Sequence, residues 1–205
     1  MVKETEDSKV PYRQIRALYD DQTITVYQAY SASIAVQAVK EQKLNASPEF
    51  LLGRMTWIKP SWNWMMYRSG YSTKDIKQSH ILAIKMTHQN FQRLLSQALV
   101  VTGTSLTASE RAKPVRVQWD PERTPSLGVL PYRSIQIGIS QALSQTWVEQ
   151  WIESIEDVTE KALGLMEAVK DDPQVPLEVL IAKGLVPDEK VYEVPEDLRE
   201  TLKMI

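Results

Sequence analysis

The sequence contains no cysteine, and this absence excludes several kinds of chemistry. Disulfides, iron–sulfur clusters, thiolate zinc sites and a cysteine nucleophile all need a thiol. The chain of 205 residues has two histidines, His80 and His88, so a metal site would also need carboxylate ligands. These histidines flank one strand-like run at its opposite ends, and we expect no metal. A cysteine-free chain of this size fits a reducing cytosol, so we predict a cytoplasmic protein.

Glycine is scarce, with seven residues in the whole chain. Neither the glycine-rich dinucleotide fingerprint nor the phosphate-binding Walker loop occurs, and the G-x-S-x-G nucleophile elbow is also missing. Chemistry in this protein would therefore depend on Arg, Lys, Tyr, Gln and Trp. Such groups orient substrates and stabilise charge, rather than act as strong bases at neutral pH.

Long apolar runs are missing as well. No stretch approaches the roughly 18 residues that indicate a membrane helix, so we expect no membrane partner. The opening MVKETEDSKVP is polar and has no apolar core of a signal peptide, which predicts a disordered tail over residues 1–11. Residues 12–205 are expected to form one domain, with an acidic helical region from about residue 141.

Charge is unevenly distributed along the chain. Residues 54–133 carry 12 Lys and Arg against four acids, a net +8, and residues 149–205 carry 15 acids against six bases, a net −9. The basic middle predicts attraction of an anion such as a nucleotide, RNA or DNA. Two other interpretations stay open: the two parts pack together and neutralise each other, or the acidic helices form a partner interface.

Hydrophobic periodicity predicts the order β-α-β-α-β-α-β-β-α-α and one α+β domain, a small central mixed sheet with surrounding helices. The predicted strands cover 23–31, 54–60, 80–87, 115–121 and 132–140. The predicted helices cover ASIAVQAVKEQKL, WNWMMYRSG, HQNFQRLLSQALVV, two acidic segments or one bent helix after residue 143, PLEVLIAKGLVP and PEDLRETLKMI.

The segment RMTWIKPSWNWMMYRSGYSTK, residues 54–74, concentrates aromatic and basic residues without an acid. Ser61 is expected to cap a short helix and Gly70 to end it. Helical spacing places Trp62, Met65 and Met66 on one face, which we expect to pack into the core. Trp64 and Arg68 fall on another face, which predicts a pocket wall.

Five blocks of the chain resemble a widespread family of bacterial and fungal proteins described as a domain of unknown function. The resemblance covers roughly residues 12–195 and brings no activity with it. The blocks are IRALYDDQTITVYQAYS, RMTWIKPSWNWMMYRSGY, VRVQWDPER, YRSIQIGIS and WIESIEDVT.

A second resemblance is to the ADP-ribosyltransferase fold. TVYQAYSASIAVQAVKEQKL is similar to its opening strand and helix, MTWIKPSWNWMMYRSGY to its second strand with an aromatic helix, and RSIQIGIS to its late strand. The chain departs from the family pattern at Gln28, where a His or Arg is usual, and at Gln136, where a glutamate is usual. The resemblance implies an enzyme that binds NAD or another nucleotide and acts on a nucleic-acid or protein acceptor.

This resemblance implies roles for ten residues. In the expected cleft, Arg16, Lys59 and Arg68 hold phosphates, and Tyr27, Trp64 and Tyr67 contact rings. Gln28 and Gln136 orient the ribose or base and form the catalytic set together with Tyr67. Ser61 and Arg133 complete the cofactor-binding set. The competing hypothesis is a non-enzymatic nucleic-acid-binding protein that uses segment 54–133.

Overall fold

A computed structural model describes residues 10–103 and 105–204. Most of the tail predicted over residues 1–11 therefore lies outside the described residues, and its last two members, Val10 and Pro11, are exposed. In the described part, nine strands cover Arg16–Ala17 (β1), Thr23–Tyr30 (β2), Thr56–Ile58 (β3), His80–Thr87 (β4), Ala98–Val100 (β5), Val115–Arg123 (β6), Val129–Ile139 (β7), Ser154–Asp157 (β8) and Lys190–Val191 (β9).

Eight α-helices surround these strands in the same described ranges. They cover Ala32–Glu41 (α1), Trp62–Ser69 (α2), His88–Leu95 (α3), Ala108–Arg111 (α4), Gln141–Thr146 (α5), Thr159–Asp171 (α6), Leu177–Ala182 (α7) and Glu196–Thr201 (α8). A π-helical turn over Trp147–Trp151 continues α5. In this part of the chain no helix has both the length and the apolar character needed to cross a bilayer.

Two sheets form the body of this α+β protein. One has the strand order β2-β4-β8 and the other β3-β7-β6-β5, while β1 and β9 form a separate short ribbon. All pairs are antiparallel except β5 with β6, so the four-stranded sheet is mixed, as predicted. The prediction of one central sheet was wrong, because the strands divide between two.

The two sheets meet at a single backbone bridge. The N–H of Tyr27 donates to the carbonyl of Lys59 at 2.7 Å, and the N–H of Lys59 donates back to the carbonyl of Tyr27 at 3.0 Å. This exchange of two hydrogen bonds joins β2 to the end of β3. The bridge therefore connects the three-stranded sheet to the four-stranded sheet at this point.

Two hydrophobic clusters lie on the two faces of β2 and β4. The larger cluster contains Val26 and Tyr30 from β2 together with Ile58 and Ile137 from the four-stranded sheet. The smaller cluster contains Tyr27, beside the helical residues Trp62, Met65, Met66, Ala162 and Leu165. Because successive residues of a strand point to opposite faces, Gln28 shares the face of Val26 and Tyr30.

Helix α2 has the ends that the sequence predicts. The Ser61 hydroxyl accepts a hydrogen bond from the N–H of Trp64, which satisfies one of the free donors of the first turn. Gly70 ends the helix in the left-handed conformation with φ of 56°, which a residue without Cβ adopts at low cost. Trp62, Met65 and Met66 are buried, as the helical spacing predicts.

Two predicted helices were wrong in part. The helix predicted over residues 88–101 ends at Leu95, and Ala98–Val100 forms β5 beside β6. The acidic segment after residue 143 is interrupted by β8, whose Ile155 is buried opposite Ile84 of β4. In both places a long-range strand pairing overrides the local helical pattern.

Candidate functional site

Four polar side chains lie on the outer face of the four-stranded sheet. Gln118 of β6 is directly opposite Gln136 of β7, and Asp120 is two residues further along β6. Strand β3 pairs Trp57 with Gly138 and Ile58 with Ile137, so by alternation Lys59 lies on the face of Trp57 and Gln136 on the face of Gly138, which is the same face. Directly opposite residues point to the same side of a sheet. We call Lys59, Gln118, Asp120 and Gln136 the polar row.

The amides of the polar row are tied to its carboxylate. The Gln136 Nε2 donates to Asp120 Oδ2 at 2.7 Å and to Gln118 Oε1 at 3.0 Å. Partial burial raises the pKa of Asp120, while the Gln136 hydrogen bond and the charges of Arg133, Lys59 and Arg123 act in the opposite direction. Gln136 thus orients a carboxylate that has several cations near it.

Lys59 is the unusual member of the polar row because only 4% of its surface is exposed. Its ammonium donates to the carbonyl of Trp57 at 2.9 Å. Burial lowers the pKa of Lys59 from 10.5 to about 7, helped by the positive charge of Arg68 and opposed by Asp120. A buried amine that titrates near neutrality is characteristic of functional sites, although structural groups also show such shifts.

Helix α2 presents an aromatic and cationic side next to the polar row. The rings of Trp64 and Tyr67 are stacked with centroids 5.1 Å apart. The Arg123 guanidinium carbon lies 3.6 Å from the centroid of the Tyr67 ring. One turn after Trp64 on α2, the exposed Arg68 donates a hydrogen bond to Gln78 at 3.2 Å. Arg123 therefore occupies one face of the Tyr67 ring, although Tyr67 as a whole is 38% exposed, and a ligand could stack on that face only if Arg123 moved.

Two glutamates lie at the start of α2, and we call them the acid pair. Glu122 is buried and accepts from the Ser61 hydroxyl at 2.9 Å, and Glu189 accepts from the N–H of Trp62 at 2.6 Å. Part of Glu189 is exposed, but its carboxyl is desolvated. This desolvation raises its pKa well above 4.5, with a further contribution from Glu122. Burial likewise raises the pKa of Glu122.

Arg16 lies beside the acid pair. Its Nη2 donates to the backbone carbonyl of Glu189 at 3.1 Å, and its charge lowers the pKa of both glutamates. The positive N-terminal end of a helix also favours these carboxylates. Arg16 is therefore the counterion of the acid pair, which leaves it poorly placed for the phosphate role expected of it.

The predicted site residues do not all converge on one place. Five of them lie on the polar row or on the adjacent side of α2: Lys59, Trp64, Tyr67, Arg68 and Gln136. Ser61 is turned to Glu122 and works as a helix cap. One side of α2 and the four-stranded sheet thus bring these five residues together, although Lys59 and Trp64 are buried.

Two further predicted residues point away from the polar row. Gln28 faces the larger core cluster, because Tyr27, its neighbour on β2, faces the smaller one. Arg133 alternates with Gln136 on β7 and donates to the Trp119 carbonyl at 2.9 Å. It lines a cavity of about 260 Å³ on the opposite face of the sheet, together with Tyr12, Arg13 and Trp119.

Tyr27 also departs from the expected arrangement. Its backbone is bonded to Lys59, but its ring packs edge-to-face on Trp62 with centroids 5.2 Å apart. Both rings line a cavity of about 390 Å³, which we call the aromatic cavity. Tyr27 therefore lines the aromatic cavity and not the polar row that contains Lys59.

Five residues of the site were missed at the level of sequence: Gln118, Asp120, Glu122, Arg123 and Glu189. The alternation of Gln118, Asp120 and Glu122 along VRVQWDPER was a usable signal for Asp120 and Glu122, because alternate residues share a face. Arg123 follows them directly. Nothing local marks Glu189, which meets Trp62 across 127 positions of sequence.

Charge neutralisation between the basic and acidic parts of the chain is limited. Within residues 10–103 and 105–204, no salt bridge joins segment 54–133 to segment 149–205. In the same ranges, no group of three or more His, Asp and Glu side chains has the proximity to hold a metal ion. The cations around the polar row are therefore not engaged in ion pairs with the acidic segment.

Comparison with known proteins gives one match. The family model of a domain of unknown function, DUF4291, matches residues 14–192. The match contains every residue of the polar row and the acid pair. No curated protein matches the chain.

Proposed function

The chain belongs to the DUF4291 family, whose description names no activity, and from the geometry of the polar row we propose that it is a nucleotide-binding enzyme. The observation that carries the proposal is the meeting of Lys59 and Arg68 with the Asp120–Gln136 pair. Cations beside oriented hydrogen-bonding groups suit a ligand with phosphates at one end and a sugar or base at the other.

The phosphates are assigned to Lys59, Arg68 and Arg123. Among the described residues none of the three forms a salt bridge, although Arg68 and Arg123 each hold a neutral oxygen acceptor. Guanidinium groups bind phosphate oxygens in a bidentate way, and lysine adds a point charge. One carboxylate, Asp120, interacts with Lys59 and Arg123, and Arg68 is close enough to Lys59 to repel its charge, so the surface keeps a positive excess.

The ribose or base is assigned to Gln136 and Asp120. The sequence around Gln136 has no glutamate, which left the ribose without a carboxylate partner. Asp120 supplies a carboxylate at 2.7 Å from the Gln136 amide, on the neighbouring strand. The pair offers both an acceptor and a donor to ribose hydroxyls or to an amide ligand.

NAD-dependent transfer of ADP-ribose is the reaction we propose for this site. The bond between ribose C1′ and the nicotinamide nitrogen breaks, and nicotinamide leaves with the bonding electron pair. An oxygen or nitrogen of a protein or nucleic-acid acceptor forms the new bond to C1′ and loses its proton. Asp120 is placed to stabilise positive charge that develops on the ribose. Such a reaction fits the cytoplasmic location that the cysteine-free sequence predicts.

Binding is tested by thermal melting of the protein with NAD, ADP-ribose and AMP. We expect at least one of them to raise the melting temperature, because a ligand that binds only the folded state stabilises it. Arg68→Ala should abolish the shift, and Arg93→Ala, at an exposed arginine on α3, should keep it. No shift with any adenine nucleotide would reject the proposal.

Transfer is tested separately by release of nicotinamide from NAD. Asp120→Asn keeps the size of the side chain and removes its charge, so we expect nucleotide binding to persist while nicotinamide release falls at least about tenfold. Equal rates of nicotinamide release by Asp120→Asn and by the unsubstituted protein would show that Asp120 takes no part in the reaction. Binding without release in the unsubstituted protein would leave a nucleotide-binding protein and reject the transferase.

The alternative function is binding of single-stranded RNA or DNA. It is favoured by exposed cations that precede and follow α2 in the sequence, at Arg54, Lys74 and Lys77. Nucleic-acid affinity would fall steeply with salt because bound counterions are released. Affinity for an oligonucleotide that is independent of salt, or undetectable, would exclude this alternative, whereas a single mononucleotide saturating the protein favours the enzyme.

A further inference from the structure

The aromatic cavity lies on the other side of α2 from the polar row. It is enclosed by β2 and β4 on one side and by the segment that follows α7 on the other. Its volume of about 390 Å³ falls in the range of small-molecule sites. Its lining is mainly apolar and includes Tyr27, Trp62, Ala83, Ile181, Leu185 and Val186.

Trp62 and Tyr27 give this cavity polar groups that the protein does not use. Trp62 is 2% exposed, and its buried indole N–H has no partner in the described part of the chain. Tyr27 lines the cavity and is 3% exposed, and none of the side-chain hydrogen bonds among the described residues involves its hydroxyl. An acceptor on a ligand would give such a donor the partner that it lacks.

The charged groups at the rim do not favour an anion. Lys161 is 3.2 Å from Glu156, and Lys85 is 3.7 Å from Asp20, so each ammonium already has a carboxylate neighbour. Asp188 adds a further acid to the rim. An anionic ligand would therefore find no unpaired lysine here, and the charge of Asp188 would repel it.

The wall of the cavity after α7 is held firmly in place. The Cβ that Gly164 lacks would lie 2.9 Å from Leu185 Cδ2, so helix α6 and the Leu185 side chain are in close contact there. The backbone turns at Gly184 with φ of 70°, and a Cβ at this position would meet nothing within 4 Å. This close packing positions the Leu185 side chain of the cavity wall against α6.

We propose that the aromatic cavity binds an uncharged, largely apolar small molecule that carries a hydrogen-bond acceptor. Its apolar body packs on Ile181, Leu185 and Val186, and its acceptor receives the Tyr27 hydroxyl proton in a hydrogen bond. This site is separate from the nucleotide site on the polar row, and it adds a second ligand class to the protein.

The test uses Nile red, an uncharged dye with a carbonyl acceptor whose fluorescence rises and shifts to the blue in apolar surroundings. We expect saturable binding of one dye per chain. Ala83→Phe fills the cavity and should weaken binding at least about tenfold. Tyr27→Phe removes one hydrogen bond and should weaken it by about twofold to tenfold. Ile76→Ser, at a side chain that is 83% exposed, should change nothing.

Circular dichroism of each variant establishes that it is folded. If Ala83→Phe does not fold, Ile181→Phe fills the same cavity from α7 and replaces it. Lys59→Met should keep dye binding, because the nucleotide site is not involved. Dye binding that does not saturate, or that survives both cavity-filling substitutions, would overturn the proposal, as would loss of binding in Ile76→Ser.

Discussion

At the scale of single residues, the polar row combines a buried amine with a network of amides. The sequence drew attention to Lys59 as a cation at a strand end and to Gln136 as an amide in an Ile-rich strand, and the structure pairs their two strands, β3 and β7. The partner of Gln136 was not predictable in the same way. Either neighbouring strand could have supplied it, and only the register selects Asp120.

Lys59 should leave a signature in the pH dependence of stability. Its pKa is lowered from 10.5 to about 7 by burial, so between these values the unfolded chain binds the proton more tightly than the folded one. The contribution of Lys59 to the free energy of unfolding therefore rises as the pH rises from about 7 towards 10.5.

Lys59→Met removes this contribution and should make stability less dependent on pH in that window. Urea denaturation at pH 7 and pH 9.5 measures the difference. Lys77→Met, at an exposed lysine, is the matched control and should follow the unsubstituted protein. If the free energy of unfolding changes equally between pH 7 and pH 9.5 in all three proteins, Lys59 titrates like an ordinary surface lysine.

Gln28 illustrates where reasoning from sequence ends at this scale. A polar residue in a strand predicts a partner, but the two faces of β2 are both buried, and the alternation does not say which face carries the site. The tyrosine at position 27 lies on the side of α2, and the amide of Gln28 lies on the side of the larger core cluster.

At the scale of elements, α2 connects the site to the rest of the fold. Its caps were predictable because Ser61 and Gly70 act through local backbone geometry. The break of the predicted helix at Leu95 and the strand Ser154–Asp157 were not, because β5 and β8 form only where β6 and β4 offer a partner. In such short segments, local propensity has less influence on the conformation than strand pairing has.

Ser61 should stabilise α2 more than an ordinary cap does. Its hydroxyl accepts from Trp64 N–H at 3.1 Å and donates to Glu122 at 2.9 Å. Ser61→Ala is expected to cost the roughly 1 kcal/mol of a lost cap, and about 1–3 kcal/mol more because buried Glu122 loses a donor. Chemical denaturation measures the sum.

The matched control for Ser61 is Thr87, which caps α3 through Asn90 N–H and has no buried acid beside it. Thr87→Ala should cost the cap alone. A double-mutant cycle of Ser61→Ala with Glu122→Gln isolates the coupling of hydroxyl and carboxyl. Equal costs at the two caps would mean that the acid pair does not depend on Ser61.

At the scale of the whole molecule, the core extends beyond the family match. The match ends at residue 192, but Val194, Leu198, Leu202 and Met204 belong to the larger core cluster. The Trp119 indole N–H donates to the carbonyl of Leu202 at 2.9 Å, which ties this segment to β6. Helix α8 was predicted from sequence, but its docking against β5 has no local signal.

Truncation after Tyr192 should therefore prevent stable folding. It removes four buried apolar side chains, each contributing about 1.5–3 kcal/mol, and this total is comparable to the 5–15 kcal/mol that stabilises a typical domain. Thermal melting and solubility of the truncated chain measure the effect. Glu200→Ala in the full chain, at an exposed position of α8, is the control and should melt normally.

The backbone bridge between Tyr27 and Lys59 connects the two proposed ligand sites. Tyr27 carries its side chain into the aromatic cavity and Lys59 carries its own into the polar row, yet their amides share one pair of hydrogen bonds. If a ligand at either proposed site stabilises this pair, both amide protons should exchange more slowly with solvent deuterium. By thermodynamic reciprocity, any change that one ligand causes in the affinity for the other must then be matched in the reverse direction.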